Sequence, residues 1–298
     1  MTVPPPSAAL ELGGRRYPPG RLLVMAIVNR TPDSFYPGAR QLADGAADEA
    51  VERAIAEGAD ILDVGGVKAG PGPPVDLAEE LRRVVPFVER TRSAHPDLLI
   101  SIDTWRAEVA EAACLAGADL INDTWAGYDP RLPEVASAHG AGLVCSHTGG
   151  ADPRTRPHRA AYGTTVDGVV EEVLASLRSA AGRAVAAGIA PASVLLDPTH
   201  DFGKNTWHGL ALLRGTEAFV RLGHPVLMAL SRKDFIGETL GVDVEGRLEG
   251  SLAATAVAAW AGAKVFRTHD VSATRRVVDM VASIRGERAP VRAVRGLA

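Results

Sequence analysis

Short apolar runs rich in Val, Ile and Leu recur at 22–28, 61–64, 98–102, 120–121, 143–145, 194–196, 226–230 and 265–266, each bounded by glycine or polar residues. Continuous rather than alternating apolar character suits strands buried on both faces, as in a parallel sheet. The stretches between them carry a helical period. Ala47, Val51, Ala54, Ile55 and Gly58 fall at i, i+4, i+7, i+8 and i+11, and Val169, Val173 and Leu177 repeat the pattern, with Val170 and Leu174 widening the stripe. The strings EGADIL, AGADLI, HGAGLV and AGAKVF each set a glycine between a helix and the next strand, where left-handed helix closure favours it. Eight strands at a mean spacing of about 35 residues, alternating with helices, predict a single (β/α)8 TIM-type barrel of the α/β class. No GxGxxG follows the first run, so a dinucleotide-binding doubly wound sheet is not indicated. The barrel is expected over 21–285, between a Pro-rich N-terminal segment (1–20) and a basic C-terminal tail (286–298). Both ends, including Arg285, Arg288, Arg292 and Arg295, are expected to be peripheral trimmings, the tail solvated.

Barrel sites form where strands end on the C-terminal face. Reading at or just past each run gives Asn29, Asp63, Asp103, Asn122 with Asp123, His147, Asp197, then Ser231, Arg232 and Lys233, then Arg267 and His269. A polar residue there commonly caps the next helix, but every strand ends this way, so the top face reads as a polar site. Charge divides within the ring. Lys233, Arg267 and His269 follow strands seven and eight, the sector where such barrels bind phosphate. Asp103, Asn122 and Asp197 come from strands three, four and six. The division suits a ligand with a hydrogen-bonding neutral ring at one end and a phosphate at the other. A metal-hydrolase barrel would carry clustered histidines; here the first strand ends Val28-Asn29-Arg30.

Composition narrows the class. The chain has 298 residues and a formal net charge of −4, without the basic excess of a nucleic-acid binder. No apolar run is long enough to span a bilayer and no signal-peptide pattern opens the chain, so no membrane partner is expected. Cys114 and Cys145 build no disulfide framework and read as core residues; a cytoplasmic location is the expectation.

The strings NRTPDSF (29–35), DVGG (63–66), SIDT (101–104), IND (121–123), DP…FGK (197–204), SRKDFIG (231–237) and RTHDV (267–271) together resemble the dihydropteroate synthases, in family order over about residues 21–285. That family joins a dihydropterin pyrophosphate to 4-aminobenzoate and releases pyrophosphate on a (β/α)8 barrel. The resemblance implies that Asp103, Asn122, Asp197 and Lys233 hold the pterin and that Arg267 and His269 bind the diphosphate. It also implies that Asn29 is a ligand of Mg2+ and pyrophosphate, Mg2+ being the expected cofactor if the protein is active. Thr31, Pro32, Asp33, Ser34 and Phe35 match a loop that closes over the aminobenzoate, and Lys233 and Asp33 are the candidate catalytic residues. The implied partners are a pterin-type small molecule, 4-aminobenzoate analogues and a second copy in a homodimer. The Ala-rich stretch 247–262 with Trp260 could offer that contact or could simply pack on the barrel.

Departures cluster. Where the family reads GGESTRPG this chain reads GGVKAGPG, placing Lys68, Ala69 and Gly70 at the Ser, Thr and Arg positions. Where it reads DPGFGFGK the chain has Thr199 and Asp201 for glycines and His200 for a phenylalanine, turning an apolar wall of the aminobenzoate pocket polar. The family's MHM becomes Ser146-His147-Thr148, and Arg30, Tyr36 and Pro37 alter the first loop. Two readings follow. Either Lys68 and His200 serve a shifted acceptor in an active transferase, or the site keeps a pterin and has lost the reaction. Three loops changed on the same half of the site favour little or no dihydropteroate synthase activity. A methyltransferase barrel that binds pterins is a further possibility, against which TPDSF and SRKDFIG speak; a barrel used as an interaction surface is another.

Overall fold

The structure, a computed structural model, describes residues 7–31, 44–155, 161–163, 165 and 167–296. Eight parallel strands form one sheet: β3 (Leu23–Asn29), β4 (Ile61–Gly65), β5 (Leu99–Asp103), β6 (Leu120–Asp123), β7 (Gly142–Ser146), β8 (Val194–Asp197), β9 (Leu227–Ala229) and β10 (Val265–Thr268). All eight lie on the predicted apolar runs. β10 pairs with β3 in the register Val265↔Leu23, and a parallel bridge from Leu196 to Val226 brings β8 to β9, so the sheet closes on itself. The helices between strands are α1 (Asp44–Ala56), α2 (Leu77–Ala94), α3 (Ala107–Leu115), α4 (Leu132–Ala138), α5 (Gly168–Ala186), α6 (Thr206–Arg214), α7 (Thr216–Val220), α8 (Asp234–Leu240), α9 (Leu248–Trp260) and α10 (Val271–Ile284). Among the described residues no helix is long and apolar enough to cross a membrane.

The unbroken apolar runs have two destinations. Leu23, Met25, Ile61, Leu99, Leu120, Val144, Leu195, Leu227 and Val265 fill the lumen, while Val24, Ala26, Val28, Leu62, Val64, Ile100 and Ile102 pack outward against the helices. Period-two alternation is present, but both faces are buried, so hydropathy does not oscillate. The four glycines read as helix closers, Gly58, Gly117, Gly140 and Gly262, all have positive φ.

The reading of the first twenty residues as peripheral is corrected for 7–20, the part that the structure describes. Strands β1 (Leu10–Leu12) and β2 (Arg15–Tyr17) form an antiparallel hairpin over Gly13-Gly14, both at positive φ. Leu10 and Leu12 are buried with the lumen residues and plug the barrel floor. Lys264, fully buried, donates from Nζ to the Pro18 carbonyl at 2.5 Å and ties the hairpin's exit to the last strand. At the other end Arg285 is not a solvated tail residue: it donates to the Trp260 carbonyl and its guanidinium lies over the Trp260 ring at 5.8 Å. Arg292 and Arg295 are exposed as expected. Helix α9 buries Ser251, Ala254, Thr255, Ala258 and Ala259, while Trp260 packs against the core.

Candidate functional site

Strands β3, β5, β6, β8 and β10 and the segments after β4 and β9 bring polar residues to the same mouth, because parallel strands with one tilt end together. A cavity of about 140 Å³ opens there, lined by Asn29, Thr31, Lys68, Ala69, Asp103, Asn122, Thr124, Asp197, Thr199, Phe202, Lys233, Arg267 and His269 with a few apolar neighbours. The structure therefore brings together the residues read as pterin, diphosphate and metal positions. Asp33 and residues 32–37 lie outside the described residues.

At the centre is an ion-pair network around Asp63, the middle residue of β4, which the sequence placed in the polar ring without a specific role. Arg267 donates from Nε to Asp63 Oδ2 at 2.5 Å and from Nη2 to Asp103 Oδ2 at 2.9 Å. Ser101 Oγ donates to Asp63 Oδ1 at 2.6 Å, and Asn122 Nδ2 approaches both Asp63 oxygens at 3.1 and 3.3 Å. Thr124 Oγ1 donates to Asp103 Oδ1 at 2.9 Å. Asp63 is 0% exposed, so these donors compensate its desolvation. Asp103 is pushed up to about 7 chiefly by burial, with Arg267 opposing and Asp63 adding to the rise. Burial likewise raises Asp197. Burial, with Arg267 the next cause, takes His269 down to about 4, a neutral ring at neutral pH.

Two lysines meet the loop after β8. Lys233 donates from Nζ to the His200 carbonyl at 2.7 Å and sits over the Phe202 ring at 4.6 Å. Burial lowers its ammonium from the ordinary value. Lys204, hidden beneath, gives Nζ to the carbonyls of His147, Thr199 and Phe202 at 2.7, 2.9 and 2.9 Å, and burial takes it down to about 7. The loop keeps a glycine-like path without its glycines: Thr199 and Asp201 hold φ of +55° and +71°, beside Gly203 at +65°. Left-handed backbone costs an L-residue about 1–2 kcal/mol, and side-chain bonds offset it. Thr199 Oγ1 accepts from the His147 N–H at 3.1 Å and donates to the Asp197 carbonyl at 2.9 Å.

The expectation that His200 makes the acceptor wall polar is corrected. Its ring is 0% exposed, lies 5.3 Å from Phe235, and is driven to about 3 by burial and the nearby lysines, so it offers neither charge nor surface to a ligand. Phe202 forms that wall instead. Asp201 also stays out of the cavity, as does Gly70, whereas Lys68 and Ala69 line it.

The rebuilt loop after β4 is held from outside by guanidinium groups: Arg83 donates to the Gly66 carbonyl (2.9 Å), Arg154 to that of Pro73 (2.6 Å) and Arg106 to that of Val75 (2.8 Å). Arg30 is buried with its guanidinium over Phe87 at 5.0 Å. Among the described residues, Arg267 is the one guanidinium that lines the cavity.

The sequence assigned no site role to Thr124, Phe202 or Lys204, and gave Asp63 a place in the polar ring but no specific role. Asp63 had a signal: a carboxylate inside the otherwise apolar ILDVG strand has to be compensated.

Comparison with known proteins agrees with this geometry. The model of the pterin binding enzyme family matches residues 25–269. A Mycobacterium bovis protein named inactive dihydropteroate synthase 2 is 64% identical over 287 residues, covering 96% of this chain and 90% of the relative. A Coxiella burnetii dihydropteroate synthase in complex with pteroic acid is 34% identical with a TM-score of 0.83, over 94% of this chain and 99% of that one. The Xanthomonas albilineans dihydropteroate synthase with 4-aminobenzoic acid is 38% identical with a TM-score of 0.81, over 94% and 98%. The chain belongs to the pterin-binding enzyme family of (β/α)8 barrels, with dihydropteroate synthases among its relatives.

Proposed function

We propose that this protein binds a pterin carrying a diphosphate and has little or no dihydropteroate synthase activity. The observation that carries the reading is the division of the cavity wall. Asp103, Asn122, Asp197 and Lys233 converge on one side with Arg267 and His269, while Lys68 and Ala69 stand where the family pattern sets Ser and Thr, and Gly70 at its Arg leaves no second guanidinium among the described lining residues. The inactive relative from Mycobacterium bovis supports the same reading.

In this reading the carboxylates and Asn122 hydrogen-bond the ring, Lys233 donates to it, and Arg267 and His269 take the diphosphate. Mg2+ fits as a cation carried largely by that diphosphate, with the Asn29 side-chain oxygen as its protein ligand, since Mg2+ keeps waters and substrate oxygens and needs few protein groups. It would neutralise charge on the leaving pyrophosphate. Each charge-assisted hydrogen bond absent from the transition state removes about 1.5–3 kcal/mol, or roughly 10- to 150-fold in rate. A second reading, an active transferase with a different acceptor, draws on Lys68 in the cavity wall, a cation two positions from the absent arginine.

The deciding experiment supplies purified protein with Mg2+, dihydropterin pyrophosphate and 4-aminobenzoate, and follows pyrophosphate release beside pterin binding. Binding without release is expected. Release at ordinary enzyme rates overturns the inactive reading, and absence of binding overturns the pterin pocket. The reading includes a homodimer formed through α9 and α10, whose Val257, Met280 and Ile284 are exposed, checked by sedimentation equilibrium. It also includes a cytoplasmic location, in keeping with two free cysteines whose thiols burial pushes up to about 12.

A further inference from the structure

Helix α8 starts on a residue that cannot cap it. Its N-cap is Lys233, whose side chain accepts no hydrogen bond, so the first N–H groups need an acceptor from elsewhere. Asp201 supplies it from the loop after β8. Its Oδ2 accepts from the Asp234 N–H at 2.6 Å and its Oδ1 from the Phe235 N–H at 3.3 Å. Asp201 reaches this place at φ +71°, a backbone conformation suited to the glycine that the family pattern has there. The grip is reciprocal, because Lys233 donates to the neighbouring His200 carbonyl and lies over Phe202 on the other side of Asp201. Residues 200, 201 and 202 therefore each hold one part of the segment 233–235, and Lys233 is presented at the cavity wall.

We propose that Asp201 is a positioning residue and counter-ion for Lys233, fixing its ammonium at the cavity in place of the freedom that a glycine would leave. The inference rests on the pterin-binding role of Lys233 proposed above and says what sets that group. A capping acceptor could have been neutral; a carboxylate adds charge. Burial is the main force lowering the Lys233 ammonium, and Asp201 is the foremost group opposing it, followed by Asp197. Asp234 acts in the same sense and Arg267 in the opposite one, while Lys204 is a second cation that repels it. His200 and His269 face it as neutral rings.

The test separates charge from capping and needs no ligand. Asp201→Asn keeps an acceptor oxygen and loses the charge; Asp201→Gly loses both and relaxes the backbone. Trace acetic anhydride labelling across about pH 6 to 11, read at Lys233 by peptide mass spectrometry, gives its midpoint of protonation in each protein. The midpoint is expected to fall by about one unit in Asp201→Asn and by at least as much in Asp201→Gly. Affinity for 6-hydroxymethylpterin, measured against the parent at each pH, is expected to fall several-fold in Asp201→Asn at pH values between the two Lys233 midpoints and to stay within about twofold below both. Thermal melts identify any variant that is unfolded, and Asp201→Asn, which keeps one of the two cap acceptors, keeps the comparison alive if Asp201→Gly fails to fold. A Lys233 midpoint unchanged in Asp201→Asn overturns the proposal and leaves Asp201 a helix cap alone. If the parent binds no pterin, the functional reading falls, while the Lys233 midpoint still decides whether Asp201 sets its charge.

Discussion

Arg267→Met tests the ionic network directly. The guanidinium holds Asp63 at 2.5 Å and Asp103 at 2.9 Å, and Asp63 has no exposed surface. Methionine fills similar space without charge, leaving two carboxylates facing each other with Ser101, Asn122 and Thr124 as their remaining side-chain donors among the described residues. Breaking a buried pair by removing one partner costs about 3–5 kcal/mol. At about 2–3 °C per kcal/mol for a chain of this size, the melting temperature should fall by about 6–15 °C near pH 8. The deficit must also depend on pH. Asp103 sits at about 7 in the folded protein, above its ordinary 3.8, because burial outweighs the pull of Arg267. A raised carboxylate favours the folded state below its unfolded pKa, and that contribution is lost as pH rises through the folded value. Without Arg267 the folded value rises further, so the loss is larger and the variant's deficit is greatest above about pH 7 and shrinks toward pH 5, where the carboxylate is protonated. Melts followed by circular dichroism at both pH values provide the check. A deficit equal at both, or one below about 1 kcal/mol, would refute the ionic account and leave Arg267 a packing residue.

Other outcomes follow from single contacts. Leu12→Ala removes a floor residue from the lumen cluster and should cost about 2–5 kcal/mol in urea unfolding, whereas a dispensable leader would cost nothing. Gly203→Ala puts a Cβ against the Thr148 carbonyl oxygen at a positive φ, and a loss above about 2 kcal/mol is expected by the same assay. Restoring the family pair by Ala69→Thr with Gly70→Arg should raise any pyrophosphate release by roughly 10-fold or more; an unchanged rate would move the cause of low activity to the loop after β8 or to the first loop.

The barrel was legible because its signal is carried by number and position: eight apolar runs, each with a polar residue at or just past its end. The hairpin was not. Its strands have three residues each, and Leu10 and Leu12 are too few to form a recognisable run, since their burial depends on a lumen built from the rest of the chain. At the site, strand ends located Asp103, Asn122, Asp197, Lys233 and Arg267, but not who pairs with whom. Asp63 and Asp103 are 40 positions apart in sequence but on adjacent strands, and the sharing of Arg267 between them appears only when β10 closes the ring. His200 misled for a related reason. Its position in a changed loop suggested a ligand-facing ring, while the left-handed turns at Thr199 and Asp201 direct Phe202 to the cavity instead.

The seam between β3 and β10 has a consequence for how the chain reaches this form. Leu23 meets Val265 about 240 residues later, so during synthesis at about 5–20 residues per second the first barrel strand waits roughly 12–50 seconds for its second neighbour. Through that interval one edge of a seven-residue, mostly buried strand offers unpaired backbone groups to any other nascent chain. The hairpin beneath cannot shield it, because the floor that Leu10 and Leu12 occupy does not exist until the ring is complete. Slow closure of the seam, rather than any event at the mouth, is where production of this protein should be most sensitive to temperature and to chaperone supply.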